Sequence, residues 1–287
     1  MTGAPLVYII VLNYKRKDDT LDCLGTVQKM DYPNFRTVMV DNGSGDGSAE
    51  AVRAAFPDVE VIETGKNLMY AGGNNAGITC ALERGADYVL LLNNDTVVDR
   101  SMLTRLVDAA LSHPDAGIAG PMIYYYPPGR PEGEVIWYAG GIVEMWRGLV
   151  AHRAIRKRDT GLFADVETTG YVTGCGMLVS RPCMERVGML DTSFGMYAED
   201  TDLSLRAEGA GFTLLFVPDA RMWHKVSMSM GGEFSLAKMR RKAASSLKLF
   251  VRYARPWHWL TMPFLMPFYM AGRAALLTLR RIFLPGR

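Results

Sequence analysis

Through the first third of the chain, runs of β-branched and other apolar residues alternate with helical patterns, and each run stops at polar residues. Residues 6–12, 37–40, 59–62 and 88–92 read as strands. Residues 20–30, 48–56 and 76–84 read as helices, the first with Leu21, Leu24 and Val27 on one face. Strands that are apolar on both faces and alternate with helices predict a parallel sheet covered on both sides. Such sheets bind ligands outside the carboxyl ends of their strands, so the polar strand ends are where function is expected.

The middle of the chain differs in kind. Residues 120–179 are rich in Tyr, Pro and Gly with short apolar runs, which predicts mixed or antiparallel structure. A helix is expected over 181–187, then a loop over 191–198, a helix opening at Glu199-Asp200, and a strand over 212–217.

Composition removes several classes. With 49% hydrophobic and 22% charged residues among 287, disordered and collagen-like readings fail. Four scattered cysteines without a CxxC pair argue against a disulfide framework or zinc site and fit a reducing compartment. The opening residues MTGAPLVYIIVLNY have no basic residue before the apolar run and read as a strand. The net charge of +2 hides an asymmetry: residues 234–287 hold 11 Lys and Arg and no acid, whereas residues 1–233 carry a formal −9. That disfavours a nucleic-acid binder and favours a basic tail facing an anionic surface.

Asn93-Asn94-Asp95 ends an apolar strand. Asp95 lies too early to cap the helix expected near Ser101, and a carboxylate flanked by amides at the carboxyl edge suits a hard divalent cation. Glu199-Asp200-Thr201-Asp202 opens a helix, where one acid is explained by capping and the macrodipole. Three acids exceed that need, and one of them is a candidate general base. His224 follows the last strand, where a second metal ligand could arise. Asp41-Asn42-Gly43-Ser44-Gly45 follows the second strand and lacks the dinucleotide GxGxxG spacing. It reads as a turn whose Asp41 could accept hydrogen bonds from a base or ribose. The turn from Asn67 to Asn75 enters a helix and could meet an anion there, or serve as a plain turn.

Taken in order, these segments resemble the family 2 glycosyltransferases, especially their bacterial rhamnosyltransferase-like branch. The matching pieces are Val11-Leu12-Asn13-Tyr14, Val40-Asp41-Asn42-Gly43-Ser44, Asn67 through Asn75, Leu91-Leu92-Asn93-Asn94-Asp95-Thr96, Thr173-Gly174-Cys175-Gly176-Met177-Leu178-Val179, Tyr197-Ala198-Glu199-Asp200-Thr201-Asp202-Leu203-Ser204-Leu205-Arg206, and His224. The resemblance covers roughly residues 6–230. It implies an α/β GT-A fold, with a nucleotide-binding half over about 1–118 and an acceptor-binding half over about 119–233. It implies inverting, metal-dependent transfer from a nucleotide-diphosphate sugar. Asn13, Asp41, Asn67, Asn75 and Asn94 would bind that donor, and Asp95 with His224 would hold Mg²⁺ or Mn²⁺. Asp200 would be the base, and Glu199 would lie on the acceptor side. One departure is Asn93, where the family often has an acid; metal binding is then expected to depend on bound donor.

The tail extends these expectations. Leu236, Met239, Ala243, Leu247, Phe250 and Ala254 recur at helical spacing between basic residues, the mark of an amphipathic basic helix. Residues 256–272 then carry no charge but include Trp257 and Trp259, and Arg273, Arg280 and Arg281 follow. Seventeen residues is short for a span. Residues 234–287 are therefore read as a helical membrane-associating region, against a helical appendage packed on the domain or on a second copy in a homo-oligomer. The expected setting is the cytoplasmic side of the plasma membrane, with a glycan or polyprenyl-diphosphate-linked acceptor of cell-surface polysaccharide synthesis. The alternatives are a non-catalytic sugar-nucleotide-binding scaffold and a nucleotidyltransferase.

Overall fold

The structure is a computed structural model that describes residues 3–128, 134–226 and 236–265. The expected tail features at 266–287, including Arg273, Arg280 and Arg281, lie outside the described residues. In chain order the first part comprises β1 (Val7–Asn13), α1 (Lys17–Val27), β2 (Phe35–Asp41), α2 (Ser48–Ala55), β3 (Glu60–Glu63), α3 (Met69–Glu83), β4 (Tyr88–Asn93), β5 (Thr96–Val98) and α4 (Met102–Ser112). The second comprises β6 (Ala116–Tyr125), β7 (Ile136–Tyr138), β8 (Gly141–Glu144), β9 (Leu149–His152), β10 (Glu167–Thr168), β11 (Gly176–Ser180), α5 (Arg181–Val187), α6 (Glu199–Gly209) and β12 (Thr213–His224). A long helix, α7 (Leu236–Tyr253), follows, and residues 258–265 are helical again at the end of the described chain.

One sheet runs in the order β10-β12-β6-β11-β4-β1-β2-β3, with β5 and β7 attached at β12 and β6. The β3-β2-β1-β4 block is parallel, as is the β6–β12 pair, while β11 lies antiparallel between β4 and β6. Side chains alternate across a strand, so β1 feeds two cores. Val7, Ile9 and Val11 pack with α1 and α4 on one face, and Tyr8 and Ile10 pack with α3 and α6 on the other.

Two elements depart from expectation. The helix expected to begin at residue 76 begins at Met69, because tertiary packing overrides the low propensity of Gly72-Gly73-Asn74-Asn75. At Gly77 a Cβ would lie 2.5 Å from Ile10 Cγ2, so the glycine lets α3 lie close to the sheet. The final strand runs seven residues past its expected end at Val217. It shifts register against β6 between Val217 and Arg221, which brings His224 onto the sheet edge as the strand's last residue.

Candidate functional site

Asn13 and Asp41 end adjacent parallel strands in register, which sets them side by side at the carboxyl edge. Both are buried. Asn13 Nδ2 donates to Asp41 Oδ1 at 3.0 Å and to Ser44 Oγ at 3.1 Å. Its Oδ1 accepts from Thr20 Oγ1 at 3.0 Å and from Asn94 Nδ2 at 3.2 Å. Asn94 donates its second proton to Thr20 at 2.9 Å, and Asp41 Oδ2 accepts from the Ser44 amide at 3.1 Å. Three of the expected donor residues thus form one lattice, with Thr20 and Ser44 as unanticipated members. A buried polar network that is fully satisfied is rigid.

Asn67 and Asn75 make their contacts elsewhere. The residue that gathers the second turn is Asn42, which the sequence reading passed over. Its Nδ2 donates to Asn67 Oδ1 at 3.2 Å and to Met69 O at 3.0 Å, and its Oδ1 accepts from Leu68 N at 2.9 Å. Gly43 beside it has φ +73, and a Cβ there would meet the Lys66 backbone at 2.6 Å. That close approach is what the Asn-Gly pair in the sequence signals. Asn75 binds the Leu190 backbone through both ends of its amide, at 2.8 and 3.2 Å. It therefore anchors the loop that leads to the acidic cluster.

Asp95 and His224 do meet: Oδ1 and Nε2 are 3.1 Å apart. Antiparallel pairing of β5 with β12 brings them together, with His224 opposite Thr96. The Trp137 ring stands edge-on to His224 at 4.5 Å between centroids. Burial opposes the imidazolium, but Cys175 and Asp95 outweigh it and raise the ring to about 10. His224 Nδ1 is buried and makes no hydrogen bond. The Asp95 carboxylate suits Mg²⁺ or Mn²⁺ chemically, and the His224 imidazole could join it as a ligand only in its neutral form. Among the described residues, no three His, Cys, Asp or Glu side chains group so as to hold a metal. The residues fit a cation completed by diphosphate oxygens and water, which is how Mg²⁺ is commonly bound.

The acids at the start of α6 separate into three roles. Asp200 is held at both oxygens: Oδ2 accepts from Gly174 N at 3.0 Å and Oδ1 from Thr201 N at 2.7 Å. Burial raises its pKa against these hydrogen bonds, which makes a rigid carboxylate a stronger base. The Asn93 amide donates to Cys175 O at 3.1 Å. Residues 174 and 175 therefore join Asp200 to the strand end that carries Asp95. Glu199 is 5% exposed and its Oε2 has no hydrogen-bond partner. Burial, then the Asp200 charge, push its pKa well above the usual carboxyl range. Asp202 is structural, bonded to Arg206 at 2.9 Å, Arg252 at 2.7 Å and Tyr253 at 2.8 Å.

The left-handed residues Tyr197 (φ 74) and Ala198 (φ 69) precede Glu199, and Met69 (φ 62) opens α3. Ala71 N donates to Gly195 O at 3.2 Å, which joins these two strained turns. Backbone strain of this kind is held in place only by surrounding contacts. Here one further contact comes from the tail: α7 packs Leu249 and Phe250 into the protein, and Ser245 Oγ donates to Met196 O at 3.1 Å.

A mainly parallel sheet flanked by helices, with a carboxylate–imidazole pair and a fixed acid near its polar carboxyl edge, is the architecture of a GT-A glycosyltransferase. The family model for glycosyl transferase family 2 matches residues 8–188, and the chain belongs to that family. It is 30% identical over 213 residues to N-acetylglucosaminyl-diphospho-decaprenol L-rhamnosyltransferase of Mycobacterium tuberculosis, covering 68% of this chain and 67% of that protein. It is 24% identical over 226 residues to dTDP-rhamnosyl transferase RfbF of Shigella flexneri, covering 77% of this chain and 69% of that protein. These relatives place it in the rhamnosyltransferase-like branch. In fold it is similar to the mannosyltransferase PcManGT of Pyrobaculum calidifontis, solved with GDP-Man and Mn²⁺. That match has a TM-score of 0.64 at 20% identity over 96% of this chain and 76% of the other.

Proposed function

We propose that this glycosyltransferase moves a sugar, rhamnose by analogy with its named relatives, from a nucleoside-diphosphate donor to a hydroxyl of a polyprenyl-diphosphate-linked glycan, with inversion. The observation that carries the reading is the convergence of three parts at one sheet edge: the Asn13–Asp41–Asn94 lattice, the Asp95–His224 pair, and Asp200 tied through Gly174 and Cys175 to the same strand end.

Asp41 faces the nucleoside, held in place by Asn13 and Ser44. Asn94 and the Asn67–Asn75 segment, shaped by Asn42, complete the donor side. Asp95 would hold a divalent cation, and His224 would support the cation or, while protonated, the diphosphate itself. When bound, that cation neutralises charge on the departing diphosphate. Inversion needs one in-line displacement. Asp200 takes the proton of the acceptor hydroxyl, and the hydroxyl oxygen, not the carboxylate, bonds to the anomeric carbon. The bond from that carbon to the diphosphate oxygen breaks, and its electron pair leaves with the diphosphate. A single base suffices, so no second carboxylate nucleophile is required. Glu199, buried with its pKa raised, lies next to this base on the acceptor side.

The setting follows from the tail. No helix among the described residues is long and apolar enough to cross a membrane. Basic residues without acids over 234–287 support peripheral attachment to an anionic, cytoplasmic-side membrane surface. The test is thermal stabilisation by a panel of nucleoside diphosphates with and without Mn²⁺, followed by product analysis with the matching nucleotide sugar. Metal-enhanced stabilisation by one diphosphate, and its release on sugar transfer, is the expected result. Pyrophosphate release, or binding without turnover, would overturn the reading.

A further inference from the structure

Two segments of this chain that are 115 residues apart meet at one exposed point: Thr261 Oγ1 donates to the backbone carbonyl of Trp146 at 2.7 Å. Trp146 lies in the short turn between β8 and β9, and its side chain is 50% exposed. Beyond α7, Trp257 is 56% exposed, Leu260 73% and Phe264 69%, while Met262 between them is buried. The tail is thus fastened to the hairpin through Thr261 and leaves its aromatic and aliphatic side chains uncovered.

Both segments carry the same unit. Arg147 lies over the Trp146 ring at 5.5 Å, and Arg255 lies over the Trp257 ring at 5.3 Å. A tryptophan bearing a guanidinium joins an amphipathic ring, suited to the boundary between headgroups and acyl chains, to a cation suited to anionic headgroups. Arg147 also pairs with Glu144 at 2.9 Å, whereas the segment after Glu233 contains no acid of its own to compete for Arg255.

We infer that the membrane-facing surface is built from two parts, the Trp146 turn of the catalytic domain and the segment from Trp257 to Phe264, and that its partner is an anionic lipid bilayer. The inference rests on the membrane setting proposed above and adds a fixed orientation. Because α7 is also clamped to the catalytic domain at Met196 and Asp202, a bilayer touching both parts stands in one defined relation to Asp200. A second copy of this chain is a poorer partner. Two-fold pairing through this surface brings like-charged arginines together, which is unfavourable.

The test is flotation of the full-length protein with vesicles of phosphatidylcholine containing phosphatidylglycerol, using Trp146→Ala, Trp257→Ala and Trp146→Phe. Burial of a large apolar side chain at the bilayer predicts about a tenfold loss of partitioning for each alanine variant, with a smaller loss for phenylalanine. Unchanged melting temperatures and retained transfer to a water-soluble acceptor would show that fold and site are intact. Brominated acyl chains should quench tryptophan fluorescence less in Trp146→Ala than in the wild type. Loss for Trp257→Ala but none for Trp146→Ala overturns the two-part surface and leaves attachment through the tail. No flotation of the wild type overturns the membrane setting as well, while transfer to the soluble acceptor still reports on the catalytic reading. A lipid-free dimer that Trp146→Ala dissociates, without an effect on flotation, assigns the surface to a second copy instead.

Discussion

Arg252 on the tail helix reaches fifty residues back to Asp202, 2.7 Å away and fully buried two positions after the proposed base. The same guanidinium meets Asp191 at 2.8 Å, so it ties the start of the loop that precedes the base to the helix that carries the base. Arg252→Ala should lower stability by about 1–3 kcal/mol, since Asp202 keeps Arg206 and Tyr253 but loses a charged partner. Urea unfolding measures this; an unchanged midpoint would mean the helix is not clamped in solution.

Asp200→Asn retains the shape of the side chain and removes its basicity. Transfer should fall by about 10²–10⁴-fold, the usual contribution of a general base. Nucleotide binding should persist, because the Asn13–Asp41–Asn94 lattice is untouched. Full turnover in this variant would exclude Asp200 as the base.

Asp95→Asn addresses the cation. At 100 times the dissociation constant, a ligand stabilises the fold by about 2.7 kcal/mol. The part of nucleoside-diphosphate stabilisation that Mn²⁺ adds should disappear in the variant, and the metal-independent part should remain. If the Mn²⁺ increment survives, the ligand assignment is wrong.

Glu199 offers a pH test. Its pKa is raised in the fold by burial and by Asp200, so the folded state holds a proton that the unfolded chain releases. Its contribution to stability is complete below the ordinary carboxyl range and is lost as pH rises toward the raised value. Glu199→Gln mimics the neutral acid, so stability should decline less between about pH 4 and neutrality than in the wild type. Parallel curves from urea titrations across that range would show that Glu199 ionises normally.

Much of this architecture is legible from local pattern. The runs before Asn13 and Asn93 are apolar at every position, and the run before Asp41 is apolar from Val38 to Val40, as strands that feed two cores require. The meeting of Asn13, Asp41 and Asn94 follows because parallel neighbours end at the same edge. What stays hidden is contact set by distant pairing. Nothing near Asn42 in the sequence marks it as the residue that holds Asn67, Leu68 and Met69, and nothing near Asn75 points to Leu190. The basic stripe of α7 shows amphipathicity but not which basic residue turns inward, because Asp191 and Asp202 lie far upstream. The start of α3 was obscured by glycines whose value lies in close approach to the sheet rather than in helix propensity.

The antiparallel strand β11 pairs with β4 on one side and β6 on the other, so the first and second parts of the chain share one sheet. Opening a cleft by swinging one part from the other would tear that sheet. Room for substrate to enter and product to leave would then have to come from the loops at the strand tips rather than from a hinge within the sheet.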